Sequence, residues 1–267
     1  MTVREYKGIN DLPGLKKLWI DVFEDPEKFV DDFFEALPDI GSCVLGEEDG
    51  KIIAMASVIA GQELQFAGSV KTPECGYIYA VAVDENHRGK GYGKKITKAA
   101  YELALKREAG IVCTLPASSS LYSFYADALG FETALYREKH EVPSNDLEMT
   151  MKLSSTEYNM MREGLLNGKT FLRLSPYAMR FLMHLCEDFE GGLYASMSGI
   201  CTAIKKEDTC IICEIISQNP DVSAASVAYT LGCKKAIYYL PSTKGEPFIA
   251  ADPGKIPKES VWNIAYE

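Results

Sequence analysis

Hydrophobic positions recur at helical spacing in some stretches of this chain and run continuously in others. A short strand is predicted over 3–6. Leu12, Leu15, Leu18, Trp19 and Val22 then fall on one helical face over 11–23, where Asp11 is placed to cap the helix and Pro13 suits its first turn. A second helix over 26–37 gathers Phe29, Val30, Phe33 and Phe34. Residues 43–45 and 51–60 predict a hairpin around Gly46–Gly50, and 66–73 a polar loop. Tyr77-Ile78-Tyr79-Ala80-Val81-Ala82-Val83 is a continuous apolar, aromatic and β-branched run, hence a buried strand. Asp84-Glu85-Asn86 stops it. A basic glycine-rich turn, Arg88-Gly89-Lys90-Gly91-Tyr92-Gly93, then opens a helix carrying Ile96, Ala99, Ala100, Leu103 and Ala104. Gly110 ends that helix. A strand over 111–115, a helix over 121–129 closed by Gly130-Phe131, and a strand over 133–142 follow. Pro143-Ser144-Asn145-Asp146 is turn chemistry, and a first domain, 1–148, closes there.

The second domain, 149–267, repeats the order in outline. A connecting helix over 153–166 is followed by a helix over 176–189 and strands over 193–196, 200–205 and 209–216. A helix over 222–231 and a strand over 235–240 complete it. The turn after residue 216 reads Ser217-Gln218-Asn219-Pro220-Asp221, with neither arginine nor glycine.

Composition narrows the function classes. The chain is 267 residues long, 47% hydrophobic and 25% charged, with a net charge of −10. An acidic whole argues against nucleic acid and anionic membranes, which need a basic face. The local cluster Arg88, Lys90, Lys94, Lys95 and Lys98 stands out against it. No apolar run is long enough to span a membrane and no signal core opens the chain, so a cytoplasmic location is expected. The eight cysteines read as buried thiols of a reducing compartment. Cys210-Ile211-Ile212-Cys213 is the one C-x-x-C; it lies in a strand and lacks a second ligand pair, so no metal site is expected.

A strand feeding a glycine-rich loop that opens a helix is suited to phosphate. The glycines admit the ligand to the backbone, and the unpaired amides and dipole of the helix start face the anion. Two rival phosphate motifs fail: G-x-G-x-x-G would need glycine where Lys94 stands, and no G-x-x-x-x-G-K-[ST] runs through Gly93-Lys94.

The strand, the R-x-x-G-x-G turn, the helix, the next strand and the tyrosine-bearing helix before Gly130-Phe131 together resemble the GCN5-related N-acetyltransferase (GNAT) superfamily. The resemblance covers about the first 140 residues, counted by elements. It implies an α/β (α+β) GNAT fold with a mixed, mostly antiparallel sheet flanked by helices, and a second, smaller, degenerate GNAT-like domain. It also implies acyl-CoA-dependent transfer, most simply of acetyl from acetyl-CoA to a primary amine by direct transfer. By position, Val81, Ala82 and Val83 would meet the pantetheine arm, and Arg88, Gly89, Lys90, Gly91, Tyr92, Gly93 and Lys94 the diphosphate. Tyr125 matches the superfamily's acid, with four residues rather than three before Gly130; Tyr122, one turn earlier, is its reserve. Some members carry a glutamate base where this chain has Tyr77. Glu74 falls on the other strand face, which leaves a water-mediated base, no base, Glu63 or Glu132. Ser118-Ser119-Ser120 reads as an N-cap cluster and His87 as packing at the helix start.

Val81 to Gly91 is also close to the V-x-V-x-P-x-H-R-x-x-G stretch of tandem GNAT chains such as the Eis-like aminoglycoside acetyltransferases, with Glu85 replacing proline. The other reading is a non-catalytic acyl-CoA-binding module with a regulatory role. The acceptor expected is a small-molecule or peptide amine; a homodimer is one option for assembly.

Overall fold

The computed structural model describes residues 1–70 and 72–262. In chain order the elements are β1 (Thr2–Glu5), α1 (Leu12–Phe23), α2 (Glu27–Ile40), β2 (Gly41–Glu48), β3 (Lys51–Ile59), β4 (Gln62–Gln65), β5 (Cys75–Val83), α3 (Tyr92–Lys106), β6 (Ile111–Thr114), α4 (Ser119–Leu129) and β7 (Glu132–Pro143). They continue with β8 (Met151–Leu153), α5 (Ser155–Leu165), β9 (Phe171–Leu174), α6 (Pro176–Asp188), β10 (Gly192–Ala195), β11 (Gly199–Lys206), β12 (Thr209–Ser217), α7 (Pro220–Thr230), β13 (Lys235–Ser242) and β14 (Glu246–Ala251).

Two compact units form. The first comprises Met1–Glu63, Pro73–Ala134 and Ile249–Ile256; the second comprises Leu64–Thr72, Leu135–Phe248 and Pro257–Glu267. In the first, strands run β1-β2-β3-β5-β6, followed by the end of β14. Among the described pairings there, β5 and β6 are parallel and β1-β2, β2-β3, β3-β5 and β6-β14 are antiparallel. In the second, the order is β7-β13-β12-β11-β10-β8; among the described pairings of this sheet β12 and β13 are parallel and the others antiparallel. The mixed, mostly antiparallel α/β fold expected from the sequence is therefore what the chain adopts.

Each sheet buries its alternate faces against helices. In the first unit, Ile96, Ala100, Leu103 and Ala104 of α3 pack on Val44, Ala54, Ala56, Val58, Ile78 and Val112. The other face meets α1 and α2 through an aromatic cluster in which Trp19 touches Phe23, Phe29, Phe33, Phe34 and Tyr79. In the second unit, Ala224, Val227 and Ala228 of α7 lie in one cluster with Tyr194, Cys201, Ala203, Cys210, Ile212, Ala236 and Tyr238.

Several local expectations change. Asp11 stands at the start of α1 but caps nothing with its side chain. Its carboxylate accepts from both terminal guanidinium nitrogens of Arg4, at 2.8 and 2.6 Å, and from Lys7 N–H at 2.8 Å. A charge-assisted fork outcompetes a cap. α2 continues through Pro38 to Ile40. β4, β8, β9 and β14 are strands that the hydrophobic pattern does not predict, because each is short or interrupts a polar stretch. Among the described residues, no helix is long and apolar enough to cross a membrane. No group of three or more His, Cys, Asp or Glu side chains among them is arranged to hold a metal.

Candidate functional site

The site begins with a fork between two parallel strands. β5 and β6 pair only through Cys75↔Ile111, Gly76↔Val112 and Tyr77↔Cys113. β5 then runs on to Val83, whereas β6 ends at Thr114. A bulge redirects β5 at this place. Its pairing with β3 slips between Ser57↔Tyr79 and Met55↔Ala82, and Ala80 takes φ +49°, in the left-handed region. A bulge adds twist and turns a strand away from its neighbour, so it accounts for the parting. Val81 and Val83 are half-buried beyond it and Ala82 is buried.

The loop below the fork is built for its amides. Asp84 accepts from Asn86 N–H at 3.0 Å and contacts His87 Nδ1 at 2.7 Å, which fixes a single 3₁₀ turn over Glu85–His87. That His87 bond holds the Asp84 carboxyl below its ordinary range. Arg88 Nε donates to Val83 O at 3.1 Å, tying the loop to the strand end. Gly89 and Gly91 take φ +78° and +76°. Nothing lies within 4 Å of where a Cβ would stand on either, so conformation rather than space demands glycine. Gly91 is the N-cap of α3, and no side chain caps it. The first amides of a helix have no intrahelical partner, so Tyr92, Gly93 and Lys94 present theirs outward. Tyr92 contributes its backbone: its hydroxyl donates to Glu48 at 2.7 Å, which keeps that carboxyl low. Val83, Arg88, Gly89, Gly91, Tyr92, Gly93, Lys94 and Phe124 line an open cleft of about 290 Å³. Lys90 is exposed beside it.

Replacing Gly91 by valine should lower the stability of the first unit by about 1–2 kcal/mol, since a β-branched residue is forced into the left-handed region. Urea denaturation checks this, and an unchanged midpoint would show that the loop conformation is not needed for folding.

Tyr125 sits on α4 at 6% exposure, its ring stacked on Phe131 (6.4 Å, 16°) and edge-on to Phe124 (5.2 Å, 82°). Burial raises its phenol, and the Thr114 side chain beside it pulls the other way. Thr114 Oγ1 in turn donates to Ile78 O at 2.9 Å. Ile78 and Thr114 are the residues just past the last parallel pair, so Tyr125 meets the sheet at the mouth of the fork. Tyr122, one turn earlier, is half-buried against the same cluster. Ser118 is the N-cap of α4, yet its Oγ contacts Ser120 Oγ at 2.9 Å rather than a backbone amide. Glu63 and Glu74 face each other across an isolated bridge at the far end of β5, and Glu132 accepts from Gly254 N–H at 2.8 Å.

Three site residues escaped the sequence reading. Phe124 walls the cleft 3.6 Å from a Cβ on Gly93; its place next to Tyr125 on a short helix was the available signal. Thr114 carries no motif. Asp252 accepts from Val112 N–H and Tyr101 OH, both at 3.0 Å, across 140 and 151 positions of sequence.

The sequence model of the acetyltransferase (GNAT) family matches residues 12–131. A conserved protein of Enterococcus faecalis V583 superposes with a TM-score of 0.70 at 13% identity, over 94% of this chain and 72% of its own. A GCN5-related N-acetyltransferase from Kribbella flavida gives 0.65 at 15% identity, over 94% and 71%. Eis1 from Mycobacterium abscessus gives 0.62 at 10% identity, over 92% and 66%. These likenesses show a shared fold. No curated protein matches the sequence.

Proposed function

We propose, from the premise that this chain belongs to the acetyltransferase (GNAT) family, that it is an acyl-CoA-dependent N-acyltransferase that transfers acetyl from acetyl-CoA to a primary amine. The observation that carries the reading is the fork itself, with the bulge at Ala80, the uncapped glycine loop at the start of α3 and the cleft that this loop lines together with Val83 and Phe124. The residues present suit the ligand. Amides of Gly89 to Lys94 would hold a diphosphate, aided by the helix dipole and by Arg88, Lys90 and Lys94. Val81, Ala82 and Val83 would offer backbone groups to the amide-bearing arm as an added strand would. Bound there, acetyl-CoA supplies the thioester, an acyl group activated toward attack by an amine.

Tyr125 is our acid for the leaving sulfur. A phenol raised by burial keeps its proton until a thiolate forms next to it. The test is Tyr125→Phe. Thiol release with an amine panel should fall by about 10²–10⁴-fold, while affinity for CoA stays unchanged. If release is undiminished, Tyr125 is not the acid, and Tyr122→Phe is the next variant.

A second reading has its own observation. Tyr125 is packed in the core cluster, as a purely structural ring would be, which favours a non-catalytic acyl-CoA-binding module. Saturable acetyl-CoA binding with no thiol release for any amine would select it. The second unit has no counterpart of the loop after β12, where the chain reads Ser217-Gln218-Asn219-Pro220-Asp221, so we infer one acyl-CoA site per chain and a degenerate repeat in the second unit. The acidic chain suits a cationic acceptor.

A further inference from the structure

The tip of the β2–β3 hairpin is fixed by its own turn. Glu48 pairs with Lys51 across Asp49 and Gly50, which take φ +51° and +74°. Positive φ at both central residues is the two-residue turn whose twist matches the strands it joins, so Glu48 stands on a stiff mount. A few residues back the pairing slips from Gly46↔Ala54 to Glu47↔Ile52, and Ile53 is the extra residue. Ile53 O accepts from Asp84 N–H at 2.9 Å, where the glycine loop leaves β5.

From that mount Glu48 reaches both flanks of the loop. Its Oε1 accepts from Tyr92 OH at 2.7 Å, and Tyr92 is the first residue of α3. Its Oε2 lies 3.5 Å from His87 Nε2, and the other ring nitrogen of His87 meets Asp84 at 2.7 Å. Met1 N also lies 3.4 Å from Oε1. Residues 88–91, between the two flanking contacts, include both left-handed glycines, Gly89 and Gly91. Glycine has the most backbone freedom to lose, so ordering such a loop is costly unless its ends are already held.

We propose that Glu48 is a positioning residue for CoA: one carboxylate staples both ends of the loop and sets the Gly89–Lys94 amides in place before the diphosphate arrives. The proposal rests on the acyl-CoA reading of this loop. Two effects act here with opposite signs. As a charge beside an anion site, Glu48 repels a diphosphate, so its removal should tighten binding. As a staple, it spares the ligand the cost of ordering the loop, so its removal should weaken binding. The carboxylate is partly exposed, and water and salt screen its repulsion, whereas the cost of ordering two glycines is not screened. The staple therefore outweighs the charge.

Calorimetric titration of the full chain with CoA reads the sign. Glu48→Ala should bind CoA about three- to tenfold more weakly, the worth of a hydrogen bond or two. Glu48→Gln keeps an acceptor for Tyr92 OH and should recover most of that loss. Tyr92→Phe should also weaken binding, yet add nothing in the Glu48→Ala chain, because both act through one contact. In the ligand-free chain, amide order parameters of Gly89 and Gly91 should fall from about 0.85 toward 0.6 in Glu48→Ala, while those of β5 stay as they are. That reading needs no CoA and separates the two claims. A wild-type chain that does not bind CoA removes the acyl-CoA reading, and the order parameters still decide whether Glu48 holds the loop. Unchanged or tighter CoA binding in Glu48→Ala, a full further loss on adding Tyr92→Phe, or unchanged glycine order parameters would overturn the proposal.

Discussion

Glu214→Ala should destabilise the second unit by about 3–5 kcal/mol, the largest single-residue effect expected in this chain. Glu214 and Arg162 are both fully buried, and their side chains form a two-pronged pair at 2.9–3.1 Å. Arg162 also donates to Leu172 O at 2.6 Å, and Tyr158 OH donates to Glu214 at 3.0 Å. Burial beside that carboxylate pushes the Tyr158 phenol well up, so it stays a donor. Removing the carboxylate takes the buried guanidinium's counter-charge and the acceptor from Tyr158 at the same time. The buried charge left without its carboxylate, rather than the lost attraction, is the dominant penalty. Replacing both partners by apolar residues of similar size, Arg162→Met with Glu214→Leu, should therefore recover most of the loss. Urea denaturation of the single and double variants decides the matter. A double variant as unstable as Glu214→Ala would mean that the pair contributes through attraction.

The sequence was most legible where chemistry and periodicity coincide. The run from Tyr77 to Lys95 announces a strand, a turn and a helix in one stretch, and the molecule has them as β5, the glycine loop and α3. The loop needs positive φ at residues where only glycine is comfortable, so Gly89 and Gly91 could be read directly. The fork was less legible. Tyr-Ala-Val-Ala-Val alternates as any strand does, and nothing in it marks Ala80 for φ +49°. The bulge arises from how β3 and β5 register, a non-local property. Cys213 shows the same limit: inside a strand it read as a buried thiol like the other cysteines, while the structure leaves it half-buried and makes it the bulge residue of β12. Short strands such as β9 and β14 carry too few residues to display a period, so only their partners reveal them.

The chain's other large effect concerns where the first unit ends along the sequence. A fragment stopping at residue 148 holds α1 to α4 and the loop with its glycines, and on the sequence alone it looks like a domain. It should nevertheless fail to give a cooperative thermal transition. The first unit includes Ile249–Ile256, and β6 pairs with Ala250 and Ala251 at Thr114 and Cys113. Ile249, Ala250 and Ala251 are at most 2% exposed, and Ala250 belongs to the same cluster as Ile78, Ile96 and Tyr125. Without them β6 becomes an open edge and part of the core under the fork is uncovered. Asp252 adds the polar half of the argument. Its carboxylate accepts from Val112 N–H and Tyr101 OH, and its own N–H donates to Val112 O. In the full chain, Asp252→Ala alone should lower stability by about 1–3 kcal/mol through the donors it leaves behind. Near-ultraviolet circular dichroism and calorimetry of the fragment, beside the melt of Asp252→Ala, test both levels. A fragment that melts cooperatively at the full chain's temperature would show that residues 249–256 are an accessory to the fork and not part of its frame.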